Sequence, residues 1–402
     1  MPQYSYRAKT VDGKEVRGKL TAQSSDRADS LLRSHHLAPI EIVVAKEDVS
    51  LLNRTIFGGK VTTRDLILFS RQIASMIRAG VPVLQSLQAL AKQVEKPSFH
   101  TLLQEMAYDI EGGESLSVSM SKRPEVFSLF FLGVVRTGEA SGRLSQSLVI
   151  MADYLEQNYA FTRKVRSALM YPVFVLTAVV IVVFLMFTFV VPQLVAIFVE
   201  AAVELPLPTR ILIAITNFMT SYWYIVIVLV VVLGLVLRSY LKTPEGQYNL
   251  STWVLHIPGL STLFKKVYLA RLTSILHTLF SSDVPIIESL KIAQTSMGNK
   301  VYQNILANTA SAIKDGASIS TVWEQEPYIP PMLTTMVGVG ERSGEIDKAF
   351  SEAHGYYKRE VAEILENVTV FIEPILVIVL GIGVGIVVAA VLLPIYNLVL
   401  VL

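Results

Sequence analysis

The segment Gly58-Gly59-Lys60 is the nearest this chain comes to a phosphate-binding loop, the chemistry a motor would need. Val61 follows it where a Ser or Thr would hold magnesium, and Arg54 occupies the place of the upstream glycine. Nucleotide hydrolysis by this chain is therefore not expected, and force must come from a partner. Gly381-Ile382-Gly383-Val384-Gly385 resembles a dinucleotide loop only on paper, because it lies inside a charge-free stretch, where Gly381 and Gly385 suit close helix packing instead. The six histidines (35, 36, 100, 256, 277 and 354) show no HExxH or other ligand spacing, and cysteine is absent. His35-His36 reads as a solvent-facing helix end. No Ser-His-Asp set can be defended from spacing. The expectation is no catalytic residue and no cofactor; the sequence leaves open whether a metal binds.

Two other features carry polar groups in a pattern. Gly138-Glu139-Ala140-Ser141-Gly142 and Gly340-Glu341-Arg342-Ser343-Gly344 repeat the motif Gly-Glu-x-Ser-Gly. One reading is structural, with glycine for backbone freedom and Glu and Ser for capping. The other makes Gly138, Glu139, Gly142, Gly340, Glu341 and Gly344 a contact surface, because binding residues concentrate on positioned loops. Glu373 stands at the start of a charge-free stretch, and an ionisable group at membrane depth is costly enough to imply use. It either reaches water at the interface or pairs with a basic group of another subunit.

The elements that must position these residues follow from composition. Of 402 residues, 17% are charged and 52% hydrophobic, against ~25% charged in ordinary soluble domains. The deficit is local: 167–199, 211–237 and 374–402 hold no charged residue. That pattern excludes a wholly soluble enzyme, a disordered chain and a many-helix transporter. A helix needs about 20 apolar residues to cross ~30 Å of hydrocarbon, so three spans are expected, at 172–192, 222–238 and 374–394. Tyr222, Trp223 and Tyr224 suit an interfacial aromatic belt. Arg163, Lys164 and Arg166 precede the first span, Arg238 and Lys242 follow the second, and Lys358 and Arg359 precede the third. This bias puts the N-terminus and the segment after the second span in the cytosol, with the C-terminus on the far side. The first residues have no apolar core of signal-peptide length, so the N-terminal module is not expected to be exported. A net charge of +2 gives no case for nucleic acid.

The chain also repeats itself. GVPVLQSL at 80–87 matches DVPIIESL at 283–290, IEGGESLS at 110–117 matches IKDGASIS at 313–320, and TGEASGRL at 137–144 matches VGERSGEI at 339–346. The copies run from about 63 to 200 and from about 266 to 402. In the first, Leu66, Phe69, Ile73 and Met76, then Val83, Leu87, Leu90 and Val94, recur at helical spacing. Their counterparts are Leu269, Leu272, Leu276 and Leu279, then Ile286, Leu290 and Ala293. Pro82 and Pro285 suit first-turn positions, and Ser98, Ser115 and Ser128 suit N-caps. Each copy reads as six helices, the last entering the bilayer through Tyr171-Pro172 or Glu373-Pro374 with a kink at the proline. Both copies cross outward, so a return span between them is required.

The expected layout is mainly α and polytopic. Residues 1–45 form a small α+β module: alternation at Tyr4, Tyr6 and Ala8, a hairpin turn at Asp12-Gly13, extended character from Val16 to Leu20, a helix over 25–35 and a strand over 40–44. Residues 46–62 are a linker, 63–171 the first cytosolic six-helix bundle, 193–221 the outer connection, 239–371 the second bundle and 395–402 a tail.

These segments together resemble the general secretion pathway F / type IV pilus assembly C family, the platform proteins of the bacterial inner membrane. The resemblance rests on YSYRAKTVDGKEVRGKL, RAGVPVLQSL and SSDVPIIESL, the two Gly-Glu-x-Ser-Gly turns, ALMYPV, VELPLPTRIL, EPILVIVLGIGVG and LLPIY, in order. One departure is Ser145, where the family often has an acidic residue; the second copy has Asp347. The resemblance implies a multi-pass inner-membrane scaffold with periplasmic outer connection and tail. Its implied partners are a cytosolic hexameric assembly ATPase, pilins or pseudopilins, other inner-membrane platform components and copies of itself as a homo-oligomer. The Gly-Glu-x-Ser-Gly turns would then face the ATPase or a neighbouring protomer, and Glu373 a pilin amino terminus. The competing expectation is a small oligomeric transporter or channel. Three spans with no intramembrane charge except Glu373 at an edge offer a polar substrate little lining.

Overall fold

The computed structural model describes residues 3–9, 15–21, 29, 38–44, 60–190, 192, 207–258 and 260–401. In the N-terminal unit, β1 (Gln3–Lys9), β2 (Glu15–Thr21) and β3 (Ala38–Val44) form an antiparallel sheet of order β2-β1-β3. Tyr4, Tyr6 and Ala8 face Leu20, Gly18 and Val16 across the first pair. Against β3 the register slips between Arg7 and Ala8, bringing Ala8 opposite Pro39. Proline is tolerated there because β3 is an edge strand, where a missing N–H breaks no ladder. The expected turn at Asp12-Gly13 and the helix over 25–35 lie outside the described residues, apart from Asp29, which is helical.

The second unit is helical. Its first copy contains α1 (Thr63–Arg78), α2 (Val83–Gln93), α3 (Pro97–Glu111), α4 (Leu116–Ser121), α5 (Leu129–Ala140) and α6 (Leu144–Leu185). After α7 (Leu207–Tyr240) and the short α8 (Pro244–Val254), the order is repeated. The second copy contains α9 (Ser261–Ser281), α10 (Ile286–Ser296), α11 (Lys300–Lys314), α12 (Ile319–Trp323), α13 (Pro331–Ser343) and α14 (Ile346–Val401). Helix α1 starts with a capping box, in which the Thr62 hydroxyl accepts from the Asp65 amide and the Asp65 carboxylate accepts from the Thr62 amide at 2.7 Å. Ser115 and Ser128 cap α4 and α5 as expected, whereas Ser98 lies inside the first turn of α3. Pro82 and Pro285 sit at the cap position, one residue before the first turn, with extended backbones that lead the chain into α2 and α10.

The apolar stripes meet in one continuous core that includes Phe69, Phe131 and Leu148 from the first copy and Leu272, Trp323 and Phe350 from the second. Leu269, Leu272, Leu276 and Leu279 are all buried, but Ile286, at the first position of α10, is 43% exposed. Gly133 of α5 meets α10 so closely that a Cβ would fall 2.5 Å from Ile292 Cδ1. Beyond this core a smaller cluster of Leu263, Val361 and Leu365 is flanked by Phe161, Val165 and Leu169, tying α6, α9 and α14 together.

Helix α6 has 42 residues and α14 has 56, lengths of ~63 Å and ~84 Å at 1.5 Å per residue. Both continue unbroken through the positions of Pro172 and Pro374. Their distal halves and α7 carry large exposed apolar side chains, including Val173, Phe174, Val231, Leu233, Val377 and Ile382. Among the described residues Leu144–Val182 is long and apolar enough to cross a membrane by length and composition.

A polar cavity of about 280 Å³ interrupts the seam between α6, α9 and α14, lined in part by Asp153, Tyr154, His277 and His354. His354 Nδ1 lies 3.0 Å from the Ala270 carbonyl. Burial, the largest effect, pushes the His354 pKa below its ordinary value, with the charges of Lys358 and His277 adding to it and the bond to Ala270 opposing it. As pH falls below the unfolded value of about 6.5, the unfolded chain therefore takes up a proton that the folded His354 resists. Thermal melting in detergent should show stability falling as pH drops from about 7.5 to 5.5, and His354→Gln should flatten that slope. An unchanged slope in the variant would remove His354 from the account.

Candidate functional site

The two Gly-Glu-x-Ser-Gly segments are the turns from α5 into α6 and from α13 into α14. In the first, Gly142 has φ +71 and in the second Gly344 has φ +74, the left-handed region where a side chain is strained. The Arg143 amide donates to the Gly138 carbonyl at 2.7 Å and the Gly142 amide to the Glu139 carbonyl at 3.2 Å, a Schellman closure. The second copy repeats its longer bond, from the Glu345 amide to the Gly340 carbonyl at 2.9 Å. The leading glycines have a different task. A Cβ on Gly138 would lie 2.0 Å from Ser147 Oγ, and one on Gly340 would lie 2.6 Å from Ala349 Cβ. Only glycine lets each fifth helix close onto the long sixth.

The glutamates point inward to a neighbouring helix. Glu139 accepts from the Leu116 and Ser117 amides at 2.7 and 3.0 Å. Glu341 accepts from the Ile319 and Ser320 amides at 2.6 and 3.0 Å, and from the Ser320 hydroxyl at 2.5 Å. These are the first two free amides of α4 and α12; the third is taken by the cap residue, Ser115 or Ser318. A carboxylate at a helix N-terminus gains both charge-assisted bonds and the favourable end of the helix dipole. Sequence reasoning placed Glu139 and Glu341 in a cap or on a contact surface but missed the helix they cap. The signal was present in both copies, where ESLS precedes GEAS and ASIS precedes GERS at nearly the same spacing, one residue shorter in the second copy.

What each turn leaves outside is small: Ser141, Gly142 and Arg143 in one copy, Arg342, Ser343 and Gly344 in the other, all exposed. Arg143 reaches across to Asp283 of the second copy at 3.0 Å. Both side chains are well exposed, so this pair contributes at most about 1 kcal/mol. Ser145 donates its hydroxyl to the Ala74 carbonyl of α1 at 2.8 Å, while Asp347 presents its carbonyl to His277 at 3.0 Å.

A cluster that the sequence reading did not single out centres on Asp109. It accepts from Arg123 at 2.8 Å, Ser119 at 2.7 Å and Lys122 at 3.0 Å, fastening α3 to α4. Burial acts to raise its pKa, but the bonds from Arg123, Ser119 and Lys122 outweigh it and hold the carboxyl at about 2.

The other named residues are placed as follows. Gly381 and Gly385 share one face of α14 with open space at both Cβ positions, and residues 381–385 are helix, not loop. The backbone of Glu373 lies within α14; its side chain is outside the described ones. Gly58, Gly59, His35 and His36 are also outside the described residues. His100 and His256 each set Nδ1 against a backbone carbonyl, of Ala91 and Thr252. Among the described residues no group of three or more His, Asp or Glu is placed to hold a metal.

The capping role predicts a stability effect in both copies. Glu139→Gln or Glu341→Gln keeps the shape but loses the charge and turns an amide N–H toward a helix amide, and each should lose about 1–2 kcal/mol of stability. Urea unfolding in detergent checks this, and a loss below about 0.3 kcal/mol in both variants would contradict the cap.

The family profile described as type II secretion system (T2SS), protein F, matches residues 69–192 and again 272–394, so the repeat is a repeat of this family's unit. A profile for the protein F N-terminal domain matches residues 1–43. The chain is 34% identical to the type IV pilus assembly protein PilC of Thermus thermophilus, over 99% of this chain and 98% of that protein. It is 31% identical to the type IV pilus assembly protein TapC of Aeromonas hydrophila, over 96% and 93%. It is 29% identical to the type II secretion system protein F of Pseudomonas aeruginosa, over 99% of each. With the profile covering more than half the chain and a relative above 30% identity across its length, this protein belongs to the type II secretion system protein F family.

Proposed function

We propose that this protein is the inner-membrane platform of a type IV pilus or type II secretion machine. It is a non-enzymatic scaffold that couples a cytosolic hexameric assembly ATPase to the insertion of pilins or pseudopilins. The observation that carries this reading is the full-length match to relatives named for both machines. It is joined by two long helices that rise from one core and present exposed apolar side chains far beyond it. Exposed apolar area on this scale is stable only against lipid or protein.

On this reading α6 crosses the bilayer over 172–192, α7 returns over 222–238 and α14 crosses over 374–394. Residues 1–45 form the α+β module, and both bundles, 63–171 and 239–371, lie with it in the cytosol. The 193–221 connection and the tail lie in the periplasm. The exposed tips Ser141–Arg143 and Arg342–Gly344 are the surface offered to the ATPase or a neighbouring protomer, held in place by the capping glutamates beneath them. Glu373 pairs with a pilin amino terminus or a basic group of another copy in a homo-oligomer. The open face at Gly381 and Gly385 receives a second helix.

Chemical cross-linking in native membranes, pull-down of the tagged chain and mass spectrometry test this directly. Recovery of a hexameric ATPase together with pilins or pseudopilins is the expected result. Recovery of neither, from cells that are making the machine, would contradict the proposal.

A further inference from the structure

Where α6 and α14 leave the core they enclose an open cleft of about 620 Å³. Its wall is apolar, with Ala160 and Phe161 from α6 and Ala362 from α14 over the buried Val361 and Leu365, and its rim carries Lys164, Lys358 and Arg359. Two carboxylates, Asp153 and Glu156, line the end toward the core, but Arg71 binds both, at 2.5 and 2.8 Å. The three rim cations make no ion pair among the described residues. The cleft is thus an amphiphilic site with uncompensated positive charge beside an apolar wall. The wall continues outward through Val165, Ala168 and Leu169, half-buried residues that lead straight to the apolar stretch beginning at Pro172. Lys164 stands eight residues before Pro172, ~12 Å along the helix, and Lys358 and Arg359 stand 16 and 15 residues before Pro374, ~24 and ~22 Å, so a lipid that meets all three is drawn partly out of the leaflet along the apolar wall.

We propose that this cleft binds an anionic phospholipid of the adjoining leaflet. Its phosphate lies among Lys164, Lys358 and Arg359, and the first part of an acyl chain lies against Ala160, Phe161 and Ala362. Charge complementarity selects the headgroup, and the continuity of the apolar wall with the exposed apolar helix selects a lipid over a soluble acidic peptide. The site joins the two long helices at their exit from the core, so its occupant would set the spacing between them. This inference rests on the reading of α6 and α14 as membrane spans.

The test uses the full-length chain in nanodiscs that contain equal amounts of phosphatidylglycerol and phosphatidylcholine. After gentle detergent extraction, retained lipid is counted by native mass spectrometry. Wild type should retain phosphatidylglycerol over phosphatidylcholine by about tenfold, and Lys358→Gln combined with Arg359→Gln should remove most of that preference. Millimolar inorganic phosphate or an acidic peptide should not displace the lipid. Equal retention of both lipids, an unchanged preference in the variant, or displacement by phosphate or peptide alone would each overturn the proposal. If the double variant fails to fold, Lys164→Gln reads the same loss in a milder form. Alkaline carbonate extraction of native membranes separates this from the parent reading. Release of the protein defeats the spans and this inference together, whereas retention without lipid preference defeats this inference alone.

Discussion

Gly133 and Ile292 touch across the seam between the two copies, in space that a single added carbon would overfill. The contact is one point on a buried core to which both copies contribute. Protein interiors are close-packed, so the two bundles meet as one packed body. Both long helices issue from this shared body, and the second cluster around Leu263, Val361 and Leu365 holds them together for a further stretch. On the proposed reading, displacement received by the bundles would reach the apolar helices through this shared body. That property suits a platform between a cytosolic motor and subunits in the membrane.

The two copies keep the same internal devices and differ in their polar contacts. Each has a left-handed glycine, a glycine against the sixth helix and a glutamate bound to the N-terminus of its fourth helix. The Asp109 cluster has no equivalent, because the position 203 residues on is Ala312. Arg71 joins α1 to α6 in the first copy, and Lys266 joins α9 to α14 in the second through Glu360, at a different level. The cleft beside the exit of the long helices carries this difference in sign, its two carboxylates coming from the first copy and sharing Arg71, and two of the three cations unpaired among the described residues coming from the second. Duplication preserved what each bundle needs to fold and left the two copies different in what they present.

Much of this was legible in the residues. The repeat, the helix count of each copy, the apolar stripes, the Ser115 and Ser128 caps and the three strands follow from periodicity and turn chemistry, which are local signals. The partner of each motif glutamate was not, since a carboxylate can cap any nearby helix end and only the folded path brings α4 to α5. Asp109 was missed for the same reason, its three donors lying on α4 and the two residues that follow it. Ile286 carries the helical period yet stays exposed, because the first turn of α10 projects past the core. Pro82 and Pro285 fall one residue short of the expected place, a boundary that pattern alone does not resolve. The packing of Gly133 on Ile292 left no trace in either local pattern.

The central claim is that two copies of one unit, joined in one core, send their last helices across the bilayer in the same direction. The chain has no cysteine, so single cysteines report without background. Ser141→Cys and Ser343→Cys mark the exposed tip of each copy, and Ala201→Cys marks the connection after the first long helix. With a membrane-impermeant maleimide added outside intact spheroplasts, the account predicts labelling of Ala201→Cys alone, with the other two labelled only after lysis. Labelling of one tip but not the other from outside would place the copies on opposite sides of the membrane and contradict it.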